Sequence, residues 1–359
     1  MRKLSNVQVL RGFAALAVVV FHARDELNAL GIATRLPALV GGAFGVDVFF
    51  VVSGLVMVHS SAASFGAARS ALPFLVRRLA RIVPLYWAVT LVFAALDPAD
   101  ARGALGRRAF AGFLALSRLF VPYAAPANDD SFPVYPLGWT LDYEMAFYLC
   151  FALALALPRR RAVAGLAAGF AALVALGQAV ALPNWLAYLG ASQILEFVAG
   201  LAIAELALSG RRLPGAAALG LALAGVAAML AAIPSFDGWW GGWRGVVWGV
   251  PAAAVVAGAA LGPQDAAPGP VRRALERLGD ASYAVYLVHY GLFLAIEAAL
   301  RRSVDAARLP ALPTMALLVG SAVAASLAVH RGFEVPVTRW LQRRVAPGAA
   351  PSLAVSDRR

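Results

Sequence analysis

The run LRGFAALAVVVFHA, residues 10–23, decides the fold. The apolar pattern around it, residues 9–30, is long enough as a helix to cross the roughly 30 Å hydrocarbon core of a bilayer. Inside it stand two ionisable side chains, Arg11 and His22, separated by about three helical turns, so both fall on one face. A central Arg in a span costs roughly 2.5 to 3.5 kcal/mol on insertion scales. That face therefore turns from lipid toward the interior of a bundle, where such residues usually mark function. The plainer alternative is an Arg11 that snorkels to the headgroups and a His22 hydrogen-bonded between helices.

Working outward, the basic start Met1-Arg2-Lys3 ahead of this run has the look of a signal peptide. It lacks a small-residue cleavage site, and the run is read as a retained first helix. Of the 359 residues, 61% are hydrophobic and 14% charged, and the mean hydropathy is +0.75, which excludes an ordinary soluble domain. The fold class expected is all-α, a polytopic transmembrane helix bundle of about ten spans. They are placed near residues 9–30, 43–61, 81–97, 138–157, 162–182, 187–208, 214–233, 243–262, 281–300 and 311–330.

An even number of spans puts both termini on one side of the membrane. The basic groups Arg2/Lys3, Arg69/Arg77/Arg78, Arg159/Arg160/Arg161, Arg211/Arg212, Arg272/Arg273 and Arg343/Arg344 all fall on that side, which the positive-inside rule makes cytoplasmic. Arg107, Arg108, Arg301, Arg302 and Arg308 run against the bias. The net charge of +12, with Lys3 the only lysine, is thus spread over short loops and argues for membrane orientation rather than nucleic-acid binding. Cys150 is the only cysteine and lies in an apolar segment, which excludes an intrachain disulfide and a thiolate cluster; with four scattered histidines, no metal site is expected.

Residues 1–345 read as one membrane-embedded domain and residues 346–359 as a disordered cytoplasmic tail. The longest external connection, residues 97–137, contains AFAGFLALSRLFVPY, read as a short interfacial or re-entrant helix. The Ala-rich segments 162–182 and 214–233 read as scaffold, and Trp239, Trp240 and Trp243 as an aromatic belt at an outer boundary.

Six stretches in order, QVLRGFAALAVVVFHA (8–23), GVDVFFVVSGLVM (45–57), RRLARIVPLYW (77–87), GWTLDYEMAFY (138–148), ILEFVAGLAIAE (194–205) and ASYAVYLVHY (281–290), resemble the membrane-bound acyltransferase 3 family. Within it the resemblance is to the exopolysaccharide O-acetyltransferases, and it runs from about Val7 to Arg339. Thr140 and Asp142 depart from the Ser and Asn commoner at those places. The resemblance implies O-acylation, most simply O-acetylation, of a cell-surface polysaccharide or its lipid-linked precursor in a bacterial inner membrane. The co-substrate would be cytosolic acyl-coenzyme A, with no bound cofactor.

Beside that resemblance, the polar residues sort into two layers. His22, Asp47 and Glu144 are expected at similar depth in the outer half, where either carboxylate would fix the tautomer of His22 as general base toward a sugar hydroxyl. Interfacial or helix-N-terminal placement is the alternative for both acids. Asp142 lies about 200° from Glu144 and cannot face the same site. Trp139, Thr140 and Tyr148, on the helix of Glu144, are assigned to the acceptor side. The cytoplasmic layer comprises Arg11, the group Arg77/Arg78/Arg81 leading into the third span, and the stripe Ser282, Tyr286, His289. Its guanidinium groups would grip the donor's phosphates bidentately. His289 reads equally as a lone hydrogen-bonded core histidine.

Ser53 lacks the strand-turn-helix context of a nucleophile elbow and is read with Gly54 as a packing position, so direct transfer is expected. Glu196 and Glu205 point to different neighbours, and Glu196 reads as structural or pore-lining. Two other functional classes compete with the enzyme. A transporter or flippase would carry similar midplane charges but lacks visible broken-helix repeats, and a scaffold protein would leave Arg11 and His22 unexplained.

Overall fold

The computed structural model describes residues 4–33, 40–96, 107–122, 133–233, 243–264, 269–303 and 305–345, and among them every regular element is a helix. In chain order they are α1 (Ser5–Ala29), α2 (Phe44–Ser60), α3 (Ala71–Leu96), α4 (Arg107–Arg118), α5 (Trp139–Ala154), α6 (Arg159–Ala179), α7 (Asn184–Leu189) and α8 (Ile194–Leu208). The rest are α9 (Gly215–Ala231), α10 (Arg244–Val247), α11 (Gly249–Leu261), α12 (Pro270–Asp280), α13 (Ser282–Ser303), α14 (Ala311–Val329) and α15 (Val335–Val345). Each of the expected apolar segments is occupied by a helix. Seven of the helical stretches are long and apolar enough to cross a bilayer, and α2 and α9 are apolar but shorter at 17 residues each. The chain is a multi-pass membrane protein.

Between lipid-facing helices the hydrophobic effect has little to gain, because acyl chains are as apolar as Leu. Close van der Waals approach takes its place, and that needs small residues at the crossings. The sequence supplies them where the crossings are tightest. Gly54 of α2 meets Gly200 of α8 with no room for a Cβ on either, Gly45 of α2 lies against the Ala14 carbonyl of α1, and Gly12 of α1 sits 3.1–3.2 Å from the α12 backbone, measured from the Cβ it lacks. Helix α1 is the hub, packed on α2, α12, α13 and α14. Aromatic rings fill the middle of the bundle: Phe197 stacks on Phe50 at 4.8 Å and on Phe147 at 4.5 Å between centroids. Helices α6 and α9 bury little beyond Ala162, Leu166 and Phe170 and Ala218, Gly225 and Met229, as outer scaffold helices facing lipid would.

Two boundaries differ from those expected. Helix α3 begins at Ala71, so Arg77 and Arg78 stand within the helix together with Arg81 rather than on the loop before it, and Pro84 is accommodated in its interior. Helix α14 does not end near residue 330: it continues through a π-turn, His330–Glu334, into amphipathic α15, which returns to α3 through the Thr338 hydroxyl on the Ala80 carbonyl at 3.3 Å. The stretch after α14 thus adds a face to the bundle. Helix α12 is a further amphipathic element tied to the start of α1: Ser5 donates to Glu276, and Gln8 Nε2 to Asp280 Oδ1 at 2.6 Å.

The weakly apolar stretch of the long connection forms α4, 12 residues and too short to span, held to α3 by Trp87 Nε1 donating to the Arg118 carbonyl at 2.9 Å. Trp239, Trp240 and the tail from residue 346 lie outside the described residues; Trp243 is exposed.

Candidate active site

Two chambers with shared wall residues lie inside the bundle, each mostly apolar with a few polar groups on its walls. The first is lined by Arg11 of α1, Ser53 of α2, Arg78 and Arg81 of α3, Thr140, Glu144 and Tyr148 of α5, and Ser282 and Tyr286 of α13. Glu144 accepts from the hydroxyls of Tyr148 and of Ser53, the latter at 3.1 Å. Arg11 donates from Nη2 to Ser282 Oγ at 2.9 Å and from Nη1 to Gln8 Oε1 at 3.3 Å. Arg78 reaches Ser60 Oγ at 3.0 Å and lies over the rings of Phe74 and Tyr148. Three guanidinium groups against one carboxylate make this chamber electropositive, with donor forks suited to phosphate.

The second chamber holds His22, Asp25 and Glu26 of α1, Trp139 of α5, and Tyr286, Tyr290 and Glu297 of α13. Tyr286 and Val46 line both chambers and form the boundary between them. The Tyr286 ring is fixed there by its hydroxyl, which donates to the Leu137 carbonyl and accepts from Thr140 Oγ1, each at 3.2 Å.

At this boundary the two core histidines pair. His289, fully buried, has Nδ1 2.8 Å from the Val285 carbonyl and Nε2 2.9 Å from His22 Nδ1. A carbonyl can only accept, so with neutral rings His289 carries its proton on Nδ1 and its Nε2 must accept. His22 then donates from Nδ1, which leaves the lone pair of His22 on Nε2. The protons are assigned from their partners, as they must be for imidazoles.

The expected trio of His22, Asp47 and Glu144 is not assembled. Asp47, 1% exposed, faces the other side of α2 and pairs with Arg244, Oδ2 to Nη2 at 3.1 Å. Glu196 adjoins this pair, its carboxyl group packed where Gly249 has no side chain. Glu144 lies in the arginine chamber. Depth along a helix can be counted from sequence, but the azimuth that separates these acids depends on how the helices roll against one another.

For the same reason Thr140 and Tyr148, expected on the acceptor side, face the arginines, whereas Trp139 lies in the chamber of His22. Arg77 leaves the site; its carbonyl takes a long hydrogen bond from Gln342 of α15 at 3.5 Å. The stripe Ser282, Tyr286, His289 covers about 10 Å of helix axis, enough for its ends to reach different chambers, so His289 belongs with His22 and not with the donor arginines. Ser53 is more than a packing residue, since its hydroxyl enters the arginine chamber. Asp142 is buried away from both chambers.

Sequence reasoning missed Arg244. Its signal was an isolated arginine between Trp243 and Gly245 at the start of the eighth apolar segment, apart from every arginine cluster.

A multi-pass helix bundle that sets an arginine-lined chamber beside one holding an imidazole has the equipment of a membrane-embedded group-transfer enzyme. The chain belongs to the acyltransferase 3 family, whose acyltransferase domain matches residues 4–331, and it is an acyltransferase. It is 35% identical over 326 residues to the exopolysaccharide production protein ExoZ of Rhizobium meliloti, covering 86% of this chain and 94% of that protein. It is 29% identical to the acyltransferase MdmB of Streptomyces mycarofaciens, over 99% of this chain and 97% of that one. The O-acetyltransferase OatA of Staphylococcus aureus is 29% identical over 159 residues, 42% of this chain and 24% of that protein. No solved structure matches the chain.

Proposed function

We propose that this acyltransferase moves an acyl group, most simply acetyl, from cytosolic acyl-coenzyme A to a hydroxyl of a cell-surface polysaccharide or lipid-linked saccharide. It would work in a bacterial inner membrane through about ten spans with both termini cytoplasmic. The observation that carries this reading is the contact of two chambers of opposite character at Tyr286 and Val46. Coenzyme A brings several phosphates, and Arg11, Arg78 and Arg81 offer the donors to bind them, while its thin pantetheine arm is the part able to pass toward the boundary.

The acceptor hydroxyl enters the chamber of His22. His22 Nε2 takes the hydroxyl proton as the oxygen attacks the thioester carbonyl; the C–S bond breaks, and the departing sulfur takes up that proton to leave as the thiol. His289 is a positioning residue: its accepting Nε2 holds His22 in the tautomer that exposes the base. Transfer is direct. Ser53, whose hydroxyl bonds to Glu144, sits in the arginine chamber rather than with the imidazoles.

The names of ExoZ and OatA support a saccharide acceptor and an acetyl donor, and family membership removes the ground for a transporter or a scaffold. Membranes with and without the protein, given acetyl-coenzyme A labelled in the acetyl group, provide the test. Label is expected on a glycan only where the protein is present; label absent from every glycan fraction would end this reading.

A further inference from the structure

We infer that the saccharide unit acylated by this protein carries no negative charge, and that the walls of the second chamber select for this. The inference rests on the acyl-transfer reading and names the class of its acceptor. The two chambers have opposite linings. Where the first presents three arginines, the second presents Asp25, Glu26 and Glu297, and no Arg or Lys lines it among the described residues. The cations nearby are engaged at the rim: Arg301 pairs with Glu297 at 2.8 Å and donates to the Ala29 carbonyl, and Arg24 donates to Asn28 beside Asp25.

Glu26 is 7% exposed and hydrogen-bonds side chain to side chain with Glu297, which leaves its Oε1 without a hydrogen-bond partner at the border of this cavity. A buried carboxylate oxygen left unpaired is costly, and the group that satisfies it is a hydrogen-bond donor. Sugar hydroxyls and ammonium groups donate; uronate, phosphate and ketal-carboxylate substituents offer only acceptors and add repulsion. Trp139, Tyr290 and Phe21 complete the wall with apolar faces on which the C–H face of a pyranose ring packs, while the carboxylates meet its hydroxyl edge. The same charge keeps coenzyme A phosphates out of the acceptor side, so each chamber rejects the other's substrate.

The test uses the purified full chain in lipid nanodiscs with labelled acetyl-coenzyme A. The acceptors are a panel of gluco-, galacto- and manno-configured tetrasaccharides in matched pairs, each neutral member set against the same chain with one uronate. We expect kcat/KM for the neutral member of a used pair to exceed that for the uronate by about tenfold or more. In Glu26→Gln, and in Asp25→Asn at the more exposed rim, the preference should shrink by about threefold or more, while the apparent affinity for acetyl-coenzyme A stays as in the wild type and reports an intact fold. Equal use of both members, a preference for uronate, or a preference unchanged in both variants would overturn the inference and leave acyl transfer standing. Transfer to no sugar of the panel would overturn the acyl-transfer reading, and this one with it.

Discussion

In the proposed mechanism the proton on His22 is held by a partner 267 positions away in sequence. Removing the proposed base and removing its partner therefore have different signatures. His22→Ala is expected to lower kcat by about 10² to 10⁴ with the protein still inserted, because a general base contributes to rate far more than to packing. His289→Leu removes the ring that accepts from His22 Nδ1 and leaves only the backbone bond to Val18 to hold the imidazole. It should lower kcat by about tenfold to a hundredfold with KM for acyl-coenzyme A unchanged, whereas His289→Gln, whose amide oxygen accepts, should recover most of the loss. Equal damage from Leu and Gln, or damage shared by KM, would make His289 a packing residue. At this scale the sequence was partly legible. Arg11 and His22 announced themselves as ionisable groups in an apolar run. The pairing of His22 with His289 did not, since nothing local in ASYAVYLVHY states which helix its histidine will face.

Between elements, α2 is held from two sides, by the Gly54–Gly200 approach to α8 and by the Asp47–Arg244 pair to α10. Both members of that pair have side chains 1% exposed. A buried ion pair is weak evidence of net stability, but breaking one side leaves a charge in an apolar interior at a cost of about 3–5 kcal/mol. Arg244→Met is thus expected to lower the detergent-solubilised melting temperature sharply, and Asp47→Asn on top of it to recover part of the loss. A double variant no more stable than Arg244→Met alone would remove the pair from the account. The helices themselves were readable, because each apolar segment repeats the same chemistry over a bilayer's width. Their ends were less so: the π-turn at His330–Glu334 that continues α14 into α15 depends on the face that α3 offers, which no local signal records.

Over the whole molecule, the proposed orientation follows the arginine clusters and the proposed traffic follows the chambers. Reporters at residues 210 and 346 are expected on the cytoplasmic side and those at 128 and 237 outside, checked by labelling intact cells. A membrane-impermeant coenzyme A analogue should inhibit only from the cytoplasmic face of oriented vesicles. External labelling of residue 210, or equal inhibition from both faces, would reverse the proposed path of the donor. By itself the sequence determined that this chain is helical and membrane-embedded, because hydropathy acts over each segment independently of its neighbours. It also determined, through motifs in fixed order, that the chain resembles an acyltransferase. Only the tertiary structure decided which polar groups share a chamber. Azimuth and roll come from small-residue contacts such as Gly12 on α12 and Gly54 on Gly200. A rotation of a few tens of degrees there moves a carboxylate from one chamber to the other side of its helix.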